Sequence, residues 1–150
     1  MKRVVAILSG ISLAISLVVA TEAIAAAAAS SDSARLASQY STWAGGRANA
    51  DSLVNGLRTG NSVTLVTRGP DNTKSMAGFT AQTTLSDEEV AAALASAKRS
   101  LAAMGIRQPT AEQMQVALIG GELALPNGRT KLVQGSVALR MEPTPVVAAR

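Results

Sequence analysis

Carboxylates, hydroxyls and amines are the reactive groups this chain offers, because its 150 residues include no histidine and no cysteine. That composition removes the thiol nucleophile, the imidazole base and the usual zinc and copper ligand sets. A lysine-assisted serine nucleophile would need a Ser-x-x-Lys pattern. Asp71, Ala95 and Gly128 stand three residues before Lys74, Lys98 and Lys131, so the pattern is absent there. Neither standard glycine-rich phosphate loop occurs.

Carboxylate pairs remain, and two of them flanking a glycosidic bond are enough to cleave it. The candidates are Asp51, Asp71, Asp87, Glu88, Glu89, Glu112, Glu122 and Glu142. Asp87, Glu88 and Glu89 fit a helix start better than a cleft, and the others fall at the ends of elements. Asp71-Asn72-Thr73 holds oxygens suited to calcium but lacks the twelve-residue loop spacing, and reads as a turn. No catalytic residue, metal site or cofactor is therefore assigned from the sequence.

The clearest statement about place comes from the first 29 residues. Lys2 and Arg3 precede an uncharged apolar run, Val4 to Ala20, and a small-residue segment, Thr21 to Ala29. That order is the pattern of a secretory signal peptide. The run is at the short limit for a membrane span and contains Ser9, Gly10, Ser12 and Ser16. Overlapping small-x-small frames between Ala23 and Ala29 put cleavage between Ala25 and Ser30. The expected location is periplasmic or secreted, with membrane contact only through the signal peptide before cleavage. The missing cysteine excludes a lipid anchor on cysteine and leaves an exported domain to fold without disulfides.

From Ser30 onward the chain has twelve bases against nine acids, and only Lys98-Arg99 are adjacent. A nucleic-acid surface wants clustered bases interleaved with stacking aromatics. Tyr40, Trp43 and Phe79 are the aromatics present, so no nucleic-acid partner is expected.

The elements that must position any site follow from periodicity. Residues 30–42, opening Ser-Ser-Asp-Ser, read as a flexible leader. A single domain is expected over residues 43–142 and a disordered tail over 143–150. Ala50, Leu53, Val54 and Leu57 are spaced for a helix over Arg47 to Leu57. Ser62 to Thr67 is a β-branched strand, Gly69 to Ser75 a turn, and Met76 to Thr84 an antiparallel return. Ser86-Asp87-Glu88-Glu89 is a capping box opening a helix that Gly105 ends, with Ile106 folding back toward Leu101. Thr110 to Gln113 is a second capping box, for a short helix with Met114, Ala117 and Leu118 inward and Gly120-Gly121 at its end. Glu122 to Met141 reads as a hairpin around Asn127-Gly128, with Gly135 as a bulge. The fold class is α+β: a small antiparallel sheet of two hairpins with two to three helices packed on one face.

Two features suit contact with a partner. Trp43, beside Gly45-Gly46, fits an exposed ligand platform or, more commonly for a lone tryptophan, the core. Val90, Leu94, Ala97, Leu101 and Met104 form a narrow apolar stripe that is core unless a partner helix or second copy covers it. Trp43, Val90, Leu94, Leu101 and Met104 are thus the candidate interaction surface.

Trp43-Ala44-Gly45, Asn49-Ala50, Ser52 to Gly60, Pro109 to Gln113, Ala117-Leu118 and Gly120-Gly121 together resemble small uncharacterised exported proteins of Gram-negative bacteria. The likeness covers about Trp43 to Gly121. It implies a compartment and carries no site residue. The expected function is that of a non-enzymatic binding or accessory protein of the bacterial envelope, contacting another envelope protein or itself. A carboxylate-based glycan hydrolase and a self-assembling surface or fibre subunit are the alternatives.

Overall fold

The computed structural model describes residues 19–69 and 71–137. Helix α1 spans Val19–Tyr40 and helix α2 Arg47–Thr59. Strands β1 (Ser62–Arg68) and β2 (Lys74–Thr80) follow, then helices α3 (Asp87–Ala103) and α4 (Ala111–Ile119). The short strands β3 (Gly121–Ala124) and β4 (Thr130–Val133) close the described fold. The class is α+β, built on two separate two-stranded antiparallel sheets.

The flexible leader is corrected. Residues 30–40 are the last part of α1, and Ser33, Ala37 and Tyr40 are buried on one side of it. Their spacing of four and three is that of one helix face. Ser33 Oγ donates to Asp87 Oδ1 (3.3 Å), and Tyr40 meets Trp43 edge to face at 6.0 Å between ring centroids. The leader is polar because only a narrow line of it faces the core.

The expected helix starts and stops carry over to the structure. Ser86 Oγ accepts from the Glu89 amide while a Glu89 carboxylate oxygen accepts from the Ser86 amide, and Thr110 and Gln113 do the same for α4. At the end of α3, Gly105 N donates to Ala102 O and Ile106 N to Leu101 O. Gly105 has φ +81°, a left-handed conformation that glycine adopts without side-chain strain. Asp87 in the first turn of α3 also receives Arg58 from the last turn of α2 at 2.7 Å, so α1, α2 and α3 converge on one carboxylate.

In the β1–β2 ribbon, Val63 pairs with Phe79 and Leu65 with Ala77. Val63, Leu65, Thr67 and Phe79 are buried, and the residues between them face out. The return strand begins at Lys74, two residues before the expected Met76. It ends at Thr80 rather than Thr84, because Ala81 turns into the core and Leu85 N bonds back to Leu57 O (3.0 Å). Helix α2 packs on β1, and α4 contacts β1, β2 and β3.

The second hairpin is shorter than the span Glu122 to Met141. Its turn is as expected, with Gly128 at φ +76° and Gly128 N bonded to Leu125 O (3.0 Å). The return strand ends at Val133 because the chain then crosses the C-terminus of α4. Ser136 N donates to Ala117 O (3.0 Å) and Val137 N to Leu118 O (2.8 Å). These bonds satisfy helix carbonyls that have no partner within the helix. Gly135 is therefore a crossing point rather than a bulge: a Cβ there would overlap the backbone of Leu118, Ile119 and Gly120. Leu139, Met141 and the tail 143–150 lie outside the described residues, as do residues 1–18 of the signal segment.

Replacing Gly135 by alanine drives a methyl into backbone that has no rotamer with which to yield, so a loss of about 3 kcal/mol is expected. Gly105→Ala is a control, since its Cβ would meet nothing within 4 Å. It should cost about 1 kcal/mol, from its left-handed φ alone. Urea unfolding of the two variants checks the crossing, and equal losses would contradict it.

Candidate functional site

The stripe on α3 is core. Val90, Leu94 and Leu101 have no exposed surface, Trp43 is 5% exposed, and half-buried Met104 packs against the same cluster. The stripe is covered by the rest of the fold and does not form an exposed contact face. Large apolar side chains that do reach solvent are Leu132 (76% exposed) on β4, Ile119 at the end of α4, and a cross-strand pair on the outer face of the β1–β2 ribbon. Val66 (40% exposed) and Met76 (64%) stand directly opposite each other there. Arg68 and Lys74 form the next outward cross-strand pair. They are like charges, and neither has a carboxylate within ion-pair distance among the described residues.

The two edges of the ribbon differ. Alternate residues of an antiparallel strand turn their backbone groups away from the partner. On β1 these outward groups are met by side chains of α2. Asn49 Nδ2 donates to Val66 O (2.8 Å), and Val66 N donates to Asn49 Oδ1 (3.0 Å). Thr64 N donates to Ser52 Oγ (3.0 Å). Asn49 also donates to Ala44 O (2.7 Å), which ties the α1–α2 turn to the same edge. Asn49 is buried, and its amide stands where a neighbouring strand would. Gly56 lets α2 come this close, since a Cβ there would overlap the Val63 side chain. On β2 the corresponding residues are Lys74, Met76, Gly78 and Thr80, all exposed. Among the described residues, that edge receives one side-chain bond, from Gln115 Nε2 to Gly78 O at 3.4 Å.

Beyond Asn49 the β1 edge opens into a groove of about 600 Å³. Its walls are the α1–α2 turn with Trp43, the end of β1 from Val66 to Gly69, and Gln108 to Thr110 before α4. Thr67 holds the wall together, because its buried Oγ1 accepts from Ala111 N (2.9 Å) at the start of α4.

The acids are spread over separate elements. Asp32 pairs with Arg35 on α1, Asp51 with Arg47 on α2 and Asp87 with Arg58, and Glu89 caps α3. Glu88 and Glu112 stand in first turns, Asp71 is in the ribbon turn and Glu122 is on β3. Glu142 lies outside the described residues. Among the described residues no three acids gather as a metal-binding group. Among the described residues burial moves one titration, that of Tyr40, whose phenol is pushed above its usual 10.0 by desolvation and pulled back in part by Arg99.

Asn49 and the β2 edge are the features that sequence reasoning missed. A polar residue on the apolar side of a predicted helix was the available signal for Asn49. Comparison with known protein families, curated proteins and solved structures finds no match for this chain.

Asn49→Leu keeps the volume and leaves buried backbone groups of Ala44 and Val66 without partners. Its expected loss is about 3 kcal/mol, with the Val66 amide exchanging hydrogen faster than the Leu65 amide. Urea unfolding and amide exchange measure both. The single tyrosine makes its titration directly observable. A pKa raised in the fold makes the folded state resist ionisation, so the stability from neutral Tyr40 is present below pH 10 and is lost as pH rises through the folded value. The absorbance midpoint should lie above that of the urea-unfolded chain, and coincident midpoints would contradict the buried phenol.

Proposed function

We infer that this chain is an exported, non-enzymatic binding module of the bacterial envelope that takes an extended, acidic segment of a partner protein along β2. The observation that carries this reading is the asymmetry of the ribbon. One edge is closed by Asn49 and Ser52, while on the other Gln115 reaches Gly78 and the backbone of Lys74 and Met76 has no partner outside the ribbon among the described residues. An exposed strand edge is a template for a further strand, with main-chain bonds giving affinity and side chains giving selectivity. Lys74 has no carboxylate partner among the described residues, and Met76 beside it is apolar, which suits a segment carrying acids next to an apolar residue.

Export rests on the signal pattern of the first 29 residues, and the packing is consistent with it. Ser33, Ala37 and Tyr40, buried residues among those of α1 whose side chains are described, all follow the expected cleavage region. The mature chain therefore keeps every α1 contact described. Intact-mass measurement of the protein from the envelope fraction should give a start between Ala26 and Ser30. An uncut N-terminus in the cytoplasm would overturn the compartment.

A photo-crosslinking amino acid placed at Met76 tests the contact in cells. The expected result is an adduct heavier than one chain and different from two, weakened by Lys74→Glu and by added salt. An adduct of twice the chain mass would assign the edge to self-pairing and overturn the partner reading, and so would the absence of any adduct. The same label at exposed Lys98 is the control for random capture.

A further inference from the structure

We propose that the groove between Trp43, the end of β1 and the start of α4 binds a carboxylate carried beside an apolar group, as in an N-acylated amino acid or a peptide C-terminus. This site lies on the β1 side and does not rest on the reading of the β2 edge. The groove is lined by no acid and by one cation, Arg68. That guanidinium makes only a long bond to Asn72 Oδ1 (3.4 Å) and no ion pair among the described residues, so its fork of donors is available to a carboxylate.

A second observation points the same way. Trp43 forms part of the wall and is 5% exposed, yet its Nε1–H has no acceptor among the described residues. Buried donors without a partner are rare, and this one is covered by the groove wall, so an anion gains it as a donor only when the Trp43 ring turns toward the groove. The start of α4 adds the positive end of a helix dipole beside Thr110. Glu112 in that first turn and Asp71 in the ribbon turn oppose this field, while Arg107 and Lys74 on the neighbouring surface reinforce it.

The rest of the wall selects what accompanies the charge. Trp43, Val66 and Pro109 are apolar, and Gln108 and Thr110 are neutral hydrogen-bonding groups. Gly45 holds φ +75°, and a Cβ there would press on Thr67 Cγ2 at 3.2 Å, so glycine leaves the groove its width. Asn49 and Thr67 fix the walls from behind through the bonds to Val66 and Ala111. The site is thus held by packed elements.

The chain's single tryptophan stands in the wall, so its fluorescence reads occupancy. Full-length protein is titrated with N-acetyl-leucine, with its amide, with acetyl-Ala-Ala-Leu as acid or amide, and with inorganic phosphate. The acids should shift the emission saturably, and the amides should bind at least tenfold more weakly. Arg68→Gln should weaken the acids about tenfold, and Leu132→Glu, on exposed β4, should leave them unchanged. Preference for the tripeptide acid over N-acetyl-leucine identifies a peptide C-terminus as the source, and the reverse identifies a free small acid. Equal response to acid and amide, a response to phosphate alone, or no saturable shift would each overturn the site. Circular dichroism of Arg68→Gln confirms that the exposed substitution leaves the fold intact.

Discussion

One side-chain amide organises the centre of this molecule. Asn49 exchanges two hydrogen bonds with Val66 in the manner of a neighbouring strand and spends a third on Ala44. A two-stranded ribbon is marginal in water unless something packs on it. Here α2 supplies a hydrophobic cover through Leu53, Val54 and Leu57 and a polar lining for the open edge. The register of helix against strand follows from that pairing, because Asn49 and Ser52 must meet Val66 and Thr64 in step. Every later element is referred to this frame: α4 is seated on β1 through Thr67, and α3 is drawn to α2 through Arg58 and Asp87.

The frame explains why the two hairpins do not merge into one sheet. The β1 edge is occupied by side chains. The β3–β4 hairpin leaves α4 directly at Gly120-Gly121, which places it at the far end of that helix. With no disulfide available, the parts are held by capping, by close glycine crossings and by a core of aliphatic side chains around Tyr40, Trp43 and Phe79.

Local signals were legible and long-range ones were not. The capping boxes at Ser86 and Thr110, the glycine stop at Gly105 and the tight turn at Asn127-Gly128 are each written within a few residues. They appear in the structure as the sequence implies. The helical leader was missed because Tyr40 is the one large side chain among its three buried residues, and Ser33 and Ala37 stand among polar and small neighbours. Only packing against α2 and α3 shows that they share a face. The stripe from Val90 to Met104 was correctly seen as apolar, but periodicity does not say what covers a face. The exposed pair Val66 and Met76 was equally hidden, since it exists only once β1 and β2 are in register. Gly56 falls inside a helix and Gly135 reads from sequence as a bulge, and both are places where chain elements touch.

The crossing at Gly135 also has a temporal side. A chain that emerges N-terminus first presents α4 long before residues 135–137 arrive. Until they do, the carbonyls of Ala117 and Leu118 lack the amides that finish the helix end, and Val133 has not yet joined the core. Residues 135–137 are therefore a latch: the end of α4 is finished only when they pass over it. A product truncated before Gly135 would keep the ribbon and its helices while leaving that end of α4 open to water.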